Sequence, residues 1–138
     1  MQPGEIYRHA QYYIDLDGKP KPKFFLVLAL TKGGDLVLRL LTSKPRPRAP
    51  PCNHGAPYPS YYLGILGGTL SQESSVDLRP HDDLDGDAIA LWMRKGIVTA
   101  TLQLDAQTLC VVLECAAAAA DTTTAQERAM RDVLATLR

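Results

Sequence analysis

An uninterrupted apolar run near the start of the chain places the strictest limit on the fold. Residues 24–30 read Phe-Phe-Leu-Val-Leu-Ala-Leu, with no polar residue among them. Because successive side chains on a strand point to opposite faces, a strand of this kind must be covered on both sides. The run is too short for a membrane span or a core helix. We therefore predict a central strand over Lys23–Thr31, with packing layers on both of its faces.

Turn signals on either side of this run place it in a meander. Asp17-Gly18 precedes it and Gly33-Gly34-Asp35 follows it, and these glycines supply the positive φ that hairpin turns require. The flanking segments Tyr12–Leu16 and Asp35–Thr42 are rich in strand-forming residues. Arg39 interrupts the apolar pattern of the second segment, which predicts that one face of that strand meets water.

A proline-rich segment separates this meander from the rest of the chain. Residues 44–59 contain six prolines, and each proline removes a backbone donor and restricts the residue before it. We predict a long loop over 44–59 inside a single domain of residues 1–138, since 138 residues is an ordinary size for one domain. A loop of this length in a compact domain is usually functional or disordered.

The second half of the chain alternates between strand and helix signals. A helix is predicted to be inserted between strands, because aspartate precedes it and Gly96 follows its end. The segments are two short strands at Tyr61–Leu66 and Ser75–Leu78, a helix at Asp87–Lys95 and a last strand at Ile97–Leu104.

Two helices are predicted to close the chain, forming a helical part over residues 106–138. Asp105 is the expected N-cap of the first helix, and Thr124 with Glu127 is the expected capping box of the second. Antiparallel strands, one short inserted helix and terminal helices on one side predict an α+β protein, built on a small, strongly curved sheet or barrel.

The formal net charge is zero, but the charges are segregated along the chain. Residues 1–50 carry +5 and residues 51–93 carry −5. If the two central strands form a hairpin, the basic residues before the first and after the second lie at the same end of the sheet. Such a patch favours phosphate backbones, and tyrosines such as Tyr58 offer stacking surfaces for unpaired bases. The alternative is a solvated lysine-rich loop. The basic residues are Lys19, Lys21, Lys23, Lys44, Arg46 and Arg48.

Neither cluster of potential metal ligands is predicted to hold a metal. Over residues 81–87 a calcium-loop register puts His81 at position one and Trp92 at position twelve, where a glutamate is needed, so a solvated turn capping a helix is preferred. Cys52 and His54 could join Cys110 and Cys115 at zinc, but residues five apart on a helix point in different directions. No metal or cofactor is expected.

The cellular location is predicted from what the sequence lacks. Three cysteines are an odd count at spacings that suggest no disulfide framework, which is typical of a reducing compartment. The N-terminus has neither the basic start nor the apolar stretch of a secretory signal, and no apolar run reaches about 20 residues. These features predict a cytoplasmic protein without a membrane partner.

Five segments between residues 3 and 115 resemble, in order and pattern, the PemK/MazF-like toxins, which are the ribonuclease halves of toxin–antitoxin pairs. The first, Pro3-Gly4-Glu5-Ile6-Tyr7, opens the first strand, and in Lys23–Leu28 a basic residue precedes an apolar strand. The others are Leu40-Leu41-Thr42-Ser43 closing the next strand, Ser74–Leu78 after the long loop, and Lys95-Gly96-Ile97-Val98 before Leu104 and a helix.

This resemblance implies an SH3-like barrel, usually a homodimer, that cleaves single-stranded RNA without metal and has a cognate antitoxin. By position, Lys23 matches the family's arginine, and Thr42, with Ser43, matches its hydroxyl residue. Lysine lacks the bidentate fork of guanidinium, so this chain departs from the pattern there. His54 can supply an acid or base if the proline-rich loop folds over the basic patch.

Three functions follow as hypotheses. The first is a metal-independent endoribonuclease toxin in which the ribose 2′-hydroxyl attacks the adjacent phosphate. The second is a nucleic-acid-binding module on the same barrel without catalysis. The third is a protein-interaction domain whose proline-rich loop docks a partner in the polyproline conformation.

Overall fold

The computed structural model describes residues 1–81 and 86–138 as an α+β structure, which confirms the predicted class. In this part of the chain one short helix is inserted between strands and two helices end the fold, as expected. The strands are β1 (Glu5–Ile14), β2 (Pro20–Leu30), β3 (Leu36–Thr42), β4 (Cys52–Asn53), β5 (Ser60–Gly64), β6 (Ser74–Asp77) and β7 (Val98–Gln103). The helices are α1 (Gly86–Arg94), α2 (Ala106–Ala117) and α3 (Thr124–Leu137).

The seven strands form one antiparallel sheet in the order β4-β5-β6-β3-β2-β1-β7, with the predicted meander at its centre. β4 and β7 are its edges and do not pair, so the sheet is open and does not close into the predicted barrel. β4 lies inside the predicted loop and has only two residues. Pro51 precedes it, and prolines in this segment remove the backbone donors that a longer ladder needs. This edge of the sheet therefore lacks a long strand that could pair with β7 and close a barrel.

Both faces of β2 are covered, which confirms the prediction from its apolar run. Phe25 and Val27 pack with Ile89 of α1 on one face. Leu26 and Leu28 pack on the other face with the side chains that α2 and α3 bury. The alternation of side chains along one strand thus joins two helical layers to the sheet.

The buried guanidinium of Arg39 contradicts the prediction of a wet face on β3. Its side chain is 1% exposed, and three of its nitrogens donate hydrogen bonds. Nε donates to the carbonyl of Leu78 at 3.1 Å, Nη1 to that of Leu38 at 2.8 Å, and Nη2 to Oε1 of Gln126 at 3.2 Å. Burial lowers the pKa of Arg39 to about 10, while the charge of Asp77 acts in the opposite direction. A buried arginine is tolerated because its donors have partners.

The helix caps follow the predicted motifs, with one shift in register. Asp105 caps α2 as expected, accepting a hydrogen bond from the backbone N–H of Thr108 at 2.7 Å. The capping box of α3 joins Thr123 and Gln126, one residue before the predicted pair of Thr124 and Glu127. Gln126 also accepts the hydrogen bond from buried Arg39, a tertiary contact that the local motif cannot show.

Two further predictions concern the acidic turn and the membrane. The turn predicted over residues 81–87 lies mostly outside the described residues, because 82–85 are not among them. No helix in the described ranges is both long enough and apolar enough to cross a membrane.

Candidate functional site

The two residues that were predicted to form the site lie near the start of β2 and at the end of β3. Phe25 pairs with Leu40 in the β2–β3 ladder. Lys23 and Thr42 lie two residues beyond this pair, one on each strand. Both residues line a cleft of about 310 Å³.

Polar side chains without negative charge dominate this cleft, which we call the Lys23 cleft. Among the described residues that line it, Lys23 is the only cation, and none is a carboxylate or an imidazole. Such a lining is suited to an anion that accepts several hydrogen bonds, as a phosphodiester does. The polar lining residues are Tyr13, Lys23, Thr42, Ser43, Thr69, Ser71, Gln72 and Ser74.

Lys23 is a partly desolvated cation with a second cation close by. Burial lowers the pKa of Lys23, the charge of Lys44 lowers this pKa further, and Asp77 acts in the opposite direction. Within the described ranges, no carboxylate lies within 4.0 Å of the Lys23 or Lys44 ammonium group. An anion in the cleft would therefore meet a positive charge that no carboxylate of the described residues neutralises at contact distance.

The hydroxyl of Thr42 is oriented by the backbone of the loop that follows it. Its Oγ1 accepts a hydrogen bond from the backbone N–H of Lys44 at 3.1 Å, and the residue is 7% exposed. Because Oγ1 uses a lone pair in this contact, its own O–H remains able to donate into the cleft. Ser43 follows at the surface, and the Ser74 hydroxyl donates to the carbonyl of Gln72 at 3.2 Å.

Asp77, whose charge acts on Lys23, forms an ion pair with Arg79 that sequence reasoning did not identify. Asp77 is 5% exposed and accepts from Arg79 Nε at 3.0 Å and Nη2 at 2.8 Å. His81 Nε2 lies 3.2 Å from Asp77 Oδ2. Burial raises the pKa of Asp77, but the hydrogen bonds from Arg79 and His81 outweigh it and leave the pKa below its usual value. The only sequence signal was Arg79, the single basic residue of the acidic segment 51–93.

Tyr58 and Arg46 contact each other and other protein groups. The guanidinium carbons of Arg46 and Arg79 lie 4.3 Å and 4.0 Å from the centroid of the Tyr58 ring. Arg46 also donates to Ser60 Oγ at 3.2 Å and to the backbone carbonyl of Tyr58. These cation–π contacts occupy the ring that was predicted to stack on a base, so Tyr58 anchors the proline-rich loop.

The remaining predicted basic residues divide into paired and unpaired ones. Arg48 forms an ion pair with Glu73 at 2.8 Å, and Lys21 forms one with Asp17 at 3.4 Å. Lys19 is exposed in the preceding turn. Next to the Lys23 cleft, a smaller hollow of about 140 Å³ is lined by residues that include Lys44, Arg46 and Arg48, and it shares Ser43 with the cleft.

The structure does not bring His54 to the Lys23 cleft. Its Nε2 lies 3.0 Å from the carbonyl oxygen of Cys115 on α2. Cys52 and Cys115 are joined by a disulfide, so the prediction of no disulfide is wrong, and the cysteine argument for a reducing compartment is removed. The two residues are 63 positions apart and meet because β4 packs against α2, a contact that sequence spacing cannot reveal. Cys110 is a free thiol.

Comparisons with known proteins were made at the level of family models, curated proteins and solved structures. No family model, no curated protein and no solved structure matches this chain.

Proposed function

We propose that the Lys23 cleft binds single-stranded RNA and that the protein is a metal-independent endoribonuclease toxin. The observation that carries the proposal is the meeting of Lys23 and Thr42 in one cleft whose other polar groups are hydroxyls and an amide. These are the two positions that the PemK/MazF resemblance selects. β3 pairs with β2 as far as Leu40 and with β6 at Leu41 and Thr42, so Thr42 lies beside the junction of two antiparallel ladders.

In the proposed reaction the ribose 2′-oxygen attacks the adjacent phosphorus. The O2′–P bond forms and the P–O5′ bond breaks, and the proton lost by the 2′-hydroxyl is balanced by the proton that O5′ gains. The products are a 2′,3′-cyclic phosphate and a 5′-hydroxyl. Negative charge grows on the non-bridging phosphoryl oxygens, where the ammonium group of Lys23 and the donating hydroxyl of Thr42 stabilise it. Ser43 adds a further hydroxyl to the lining of the same cleft.

The proposed partners are single-stranded RNA, a cognate antitoxin and a second copy of the chain, in the cytoplasm. Exposed apolar side chains support a protein partner. Ile14 is 74% exposed and Tyr13 is 45% exposed at the end of the β1–β2 hairpin, and Tyr13 also lines the cleft. A protein bound to this hairpin would cover apolar surface and restrict access to the cleft.

The proposal is tested by incubating the pure protein with single-stranded RNA in EDTA. We expect 2′,3′-cyclic phosphate and 5′-hydroxyl ends, detected by mass spectrometry of the fragments. The matched control is the same oligonucleotide with 2′-deoxyribose at the mapped cleavage position, which cannot supply the nucleophile. Cleavage of that control, or no cleavage of RNA at enzyme excess, would refute the proposed reaction.

RNA binding without cleavage is a second candidate, and one observation favours it. Among the described residues that line the Lys23 cleft, none is a carboxylate or imidazole that would take the 2′-hydroxyl proton at neutral pH. Under this hypothesis the affinity for RNA falls steeply as salt is added, and the double charge reversal of Lys23 and Lys44 to glutamate abolishes binding. Salt-sensitive binding with no cyclic phosphate product would select this candidate.

The pH dependence of cleavage should respond to Lys44. Because protonated Lys23 stabilises the phosphate, the rate is expected to fall as pH rises through the lowered pKa of Lys23. Lys44→Gln removes a neighbouring positive charge, raises the pKa of Lys23 and moves the alkaline decline to higher pH. Single-turnover rates across neutral and alkaline pH measure this shift.

Lys32→Gln is the matched control for this measurement, since Lys32 lies in the turn between β2 and β3 and lines a different cavity. Its profile should coincide with that of the unmodified protein. A rate that keeps rising through the alkaline range would instead mean that neutral Lys23 acts as the base, and it would contradict this role.

A further inference from the structure

We propose that the reduced protein binds a zinc-type divalent metal through Cys52, His54 and Cys115. The ligand atoms of these three residues all lie within 4.8 Å of one another, and they come from β4, the residue after it, and α2. Two thiolates and an imidazole are a soft to borderline ligand set, which favours Zn²⁺ or Co²⁺ over Mg²⁺ or Ca²⁺.

The position of the imidazole matches the spacing that a tetrahedral metal requires. Metal–nitrogen bonds of about 2.0–2.1 Å and metal–sulfur bonds of about 2.3 Å, at the tetrahedral angle, separate nitrogen and sulfur by roughly 3.5 Å. Nε2 of His54 lies 3.5 Å from Sγ of Cys52 and 3.5 Å from Sγ of Cys115. The ring therefore lies at about the required distance from both sulfurs in the oxidised protein, and reduction must let the two bonded sulfurs move apart to roughly 3.8 Å for a tetrahedral metal to enter.

The backbone supports the same arrangement. The Cα atoms of Cys52 and Cys115 are 5.8 Å apart, and His54 follows Cys52 by two residues. Cys115 is buried on α2 whereas His54 is exposed, so the metal would be held at the protein surface with its fourth position open to water. Cys110 lies on the same helix but is not part of the cluster, as its spacing of five residues predicted.

Metal binding requires the disulfide to be reduced, and a dithiol is the chemical class of reductant that we name. The dithiol gives two electrons to the Cys52–Cys115 bond and becomes a disulfide itself. The two sulfurs then bind the metal as thiolates, and two protons are released for each divalent ion bound. His54 exchanges its contact with the Cys115 carbonyl for the metal, as the neutral tautomer protonated at Nδ1.

The proposed site lies outside the Lys23 cleft and does not depend on the proposed function. It has a structural consequence for the proline-rich loop, which carries Lys44 and Arg46 and enters β4 just before Cys52. In the oxidised protein the disulfide joins the middle of the loop, at β4, to α2. In the reduced protein the metal would form an equivalent link, so the loop stays anchored in both states.

The test uses the full chain, reduced with dithiothreitol, freed of reductant without air and titrated with Co²⁺. We expect one Co²⁺ per chain, a thiolate-to-cobalt charge-transfer band in the near ultraviolet, and loss of that band when Zn²⁺ is added. The oxidised chain should give no such band. RNA cleavage, measured separately in EDTA, should not depend on whether this site can bind metal. Failure of this proposal can therefore be distinguished from failure of the proposed function.

Variants assign the ligands. Cys52→Ser and Cys115→Ser should each remove the charge-transfer spectrum of the site, and His54→Ala should weaken Co²⁺ binding by more than the about 100-fold that an outer-shell contact contributes. Cys110→Ser is the matched control and should bind as the unmodified protein does. His54 is exposed, so its variant keeps the test interpretable if a cysteine variant fails to fold. The proposal would be overturned if the reduced protein showed no charge-transfer band at excess Co²⁺. It would also be overturned if Cys110→Ser lost the band as completely as the Cys52 and Cys115 variants.

Discussion

Replacing Lys23 by alanine is expected to lower the single-turnover rate of RNA cleavage by about 100- to 1,000-fold, the loss typical of removing one charge-stabilising donor. Lys23 is the only cation among the described residues that line the cleft, so no neighbour there can replace its charge. The rate is measured at saturating enzyme, so that weaker binding does not enter the result.

Two further variants separate charge from structure. Lys23→Arg should retain activity, because guanidinium keeps the charge and adds a bidentate fork that fits phosphate oxygens. Lys95→Ala, at an exposed position after α1, should cleave at the unmodified rate. Equal rates for Lys23→Ala and Lys95→Ala would mean that the reaction does not occur in this cleft.

Replacing Arg39 by alanine is expected to lower the free energy of unfolding by about 2–5 kcal/mol, the range typical of truncating a large buried side chain to alanine. Asp77 would lose a nearby positive charge, and the carbonyls of Leu38 and Leu78 would lose their donors in a buried environment. Gln126 would lose the contact that links the start of α3 to β3. Urea denaturation followed by circular dichroism measures this loss.

Arg94→Ala is the control for that measurement, since Arg94 is exposed in the last turn of α1 and should change stability by no more than about 0.5 kcal/mol. Arg39→Met fills most of the same volume without a charge. It should lower the free energy of unfolding less than Arg39→Ala does. If Arg39→Ala lowered the free energy of unfolding as little as Arg94→Ala, the buried hydrogen bonds of Arg39 would not contribute to stability.

Much of the fold could be predicted from local patterns. The apolar run of β2 required cover on both faces, and the turn signals around it required antiparallel neighbours; both are present. That Lys23 and Thr42 lie at the same end of the sheet also follows from local information, because a short turn joins their strands. Their exact register does not follow from the turn, because the β2–β3 pairing shifts by one residue between Val27 and Ala29.

Predictions based on one residue's polarity or spacing were less successful. Arg39 seemed to mark a wet face because a charge in a strand usually meets water, but Gln126, far along the chain, gives it a partner in the core. His54 was assigned by chemistry alone to a site that its loop does not reach. The capping box moved by one residue because three consecutive threonines offer alternative caps, and only Thr123 has its box partner in place.

The sequence by itself determined the strand–turn pattern, the meander and the end of the sheet at which basic residues gather, because these depend on contacts between near neighbours. Only the tertiary structure decided which of those basic residues are paired, that the sheet stays open, and that Cys52, His54 and Cys115 meet. Those outcomes depend on segments that are distant in sequence and are brought together by burial of the core. No local pattern of residues encodes which distant polar groups that burial will place in contact.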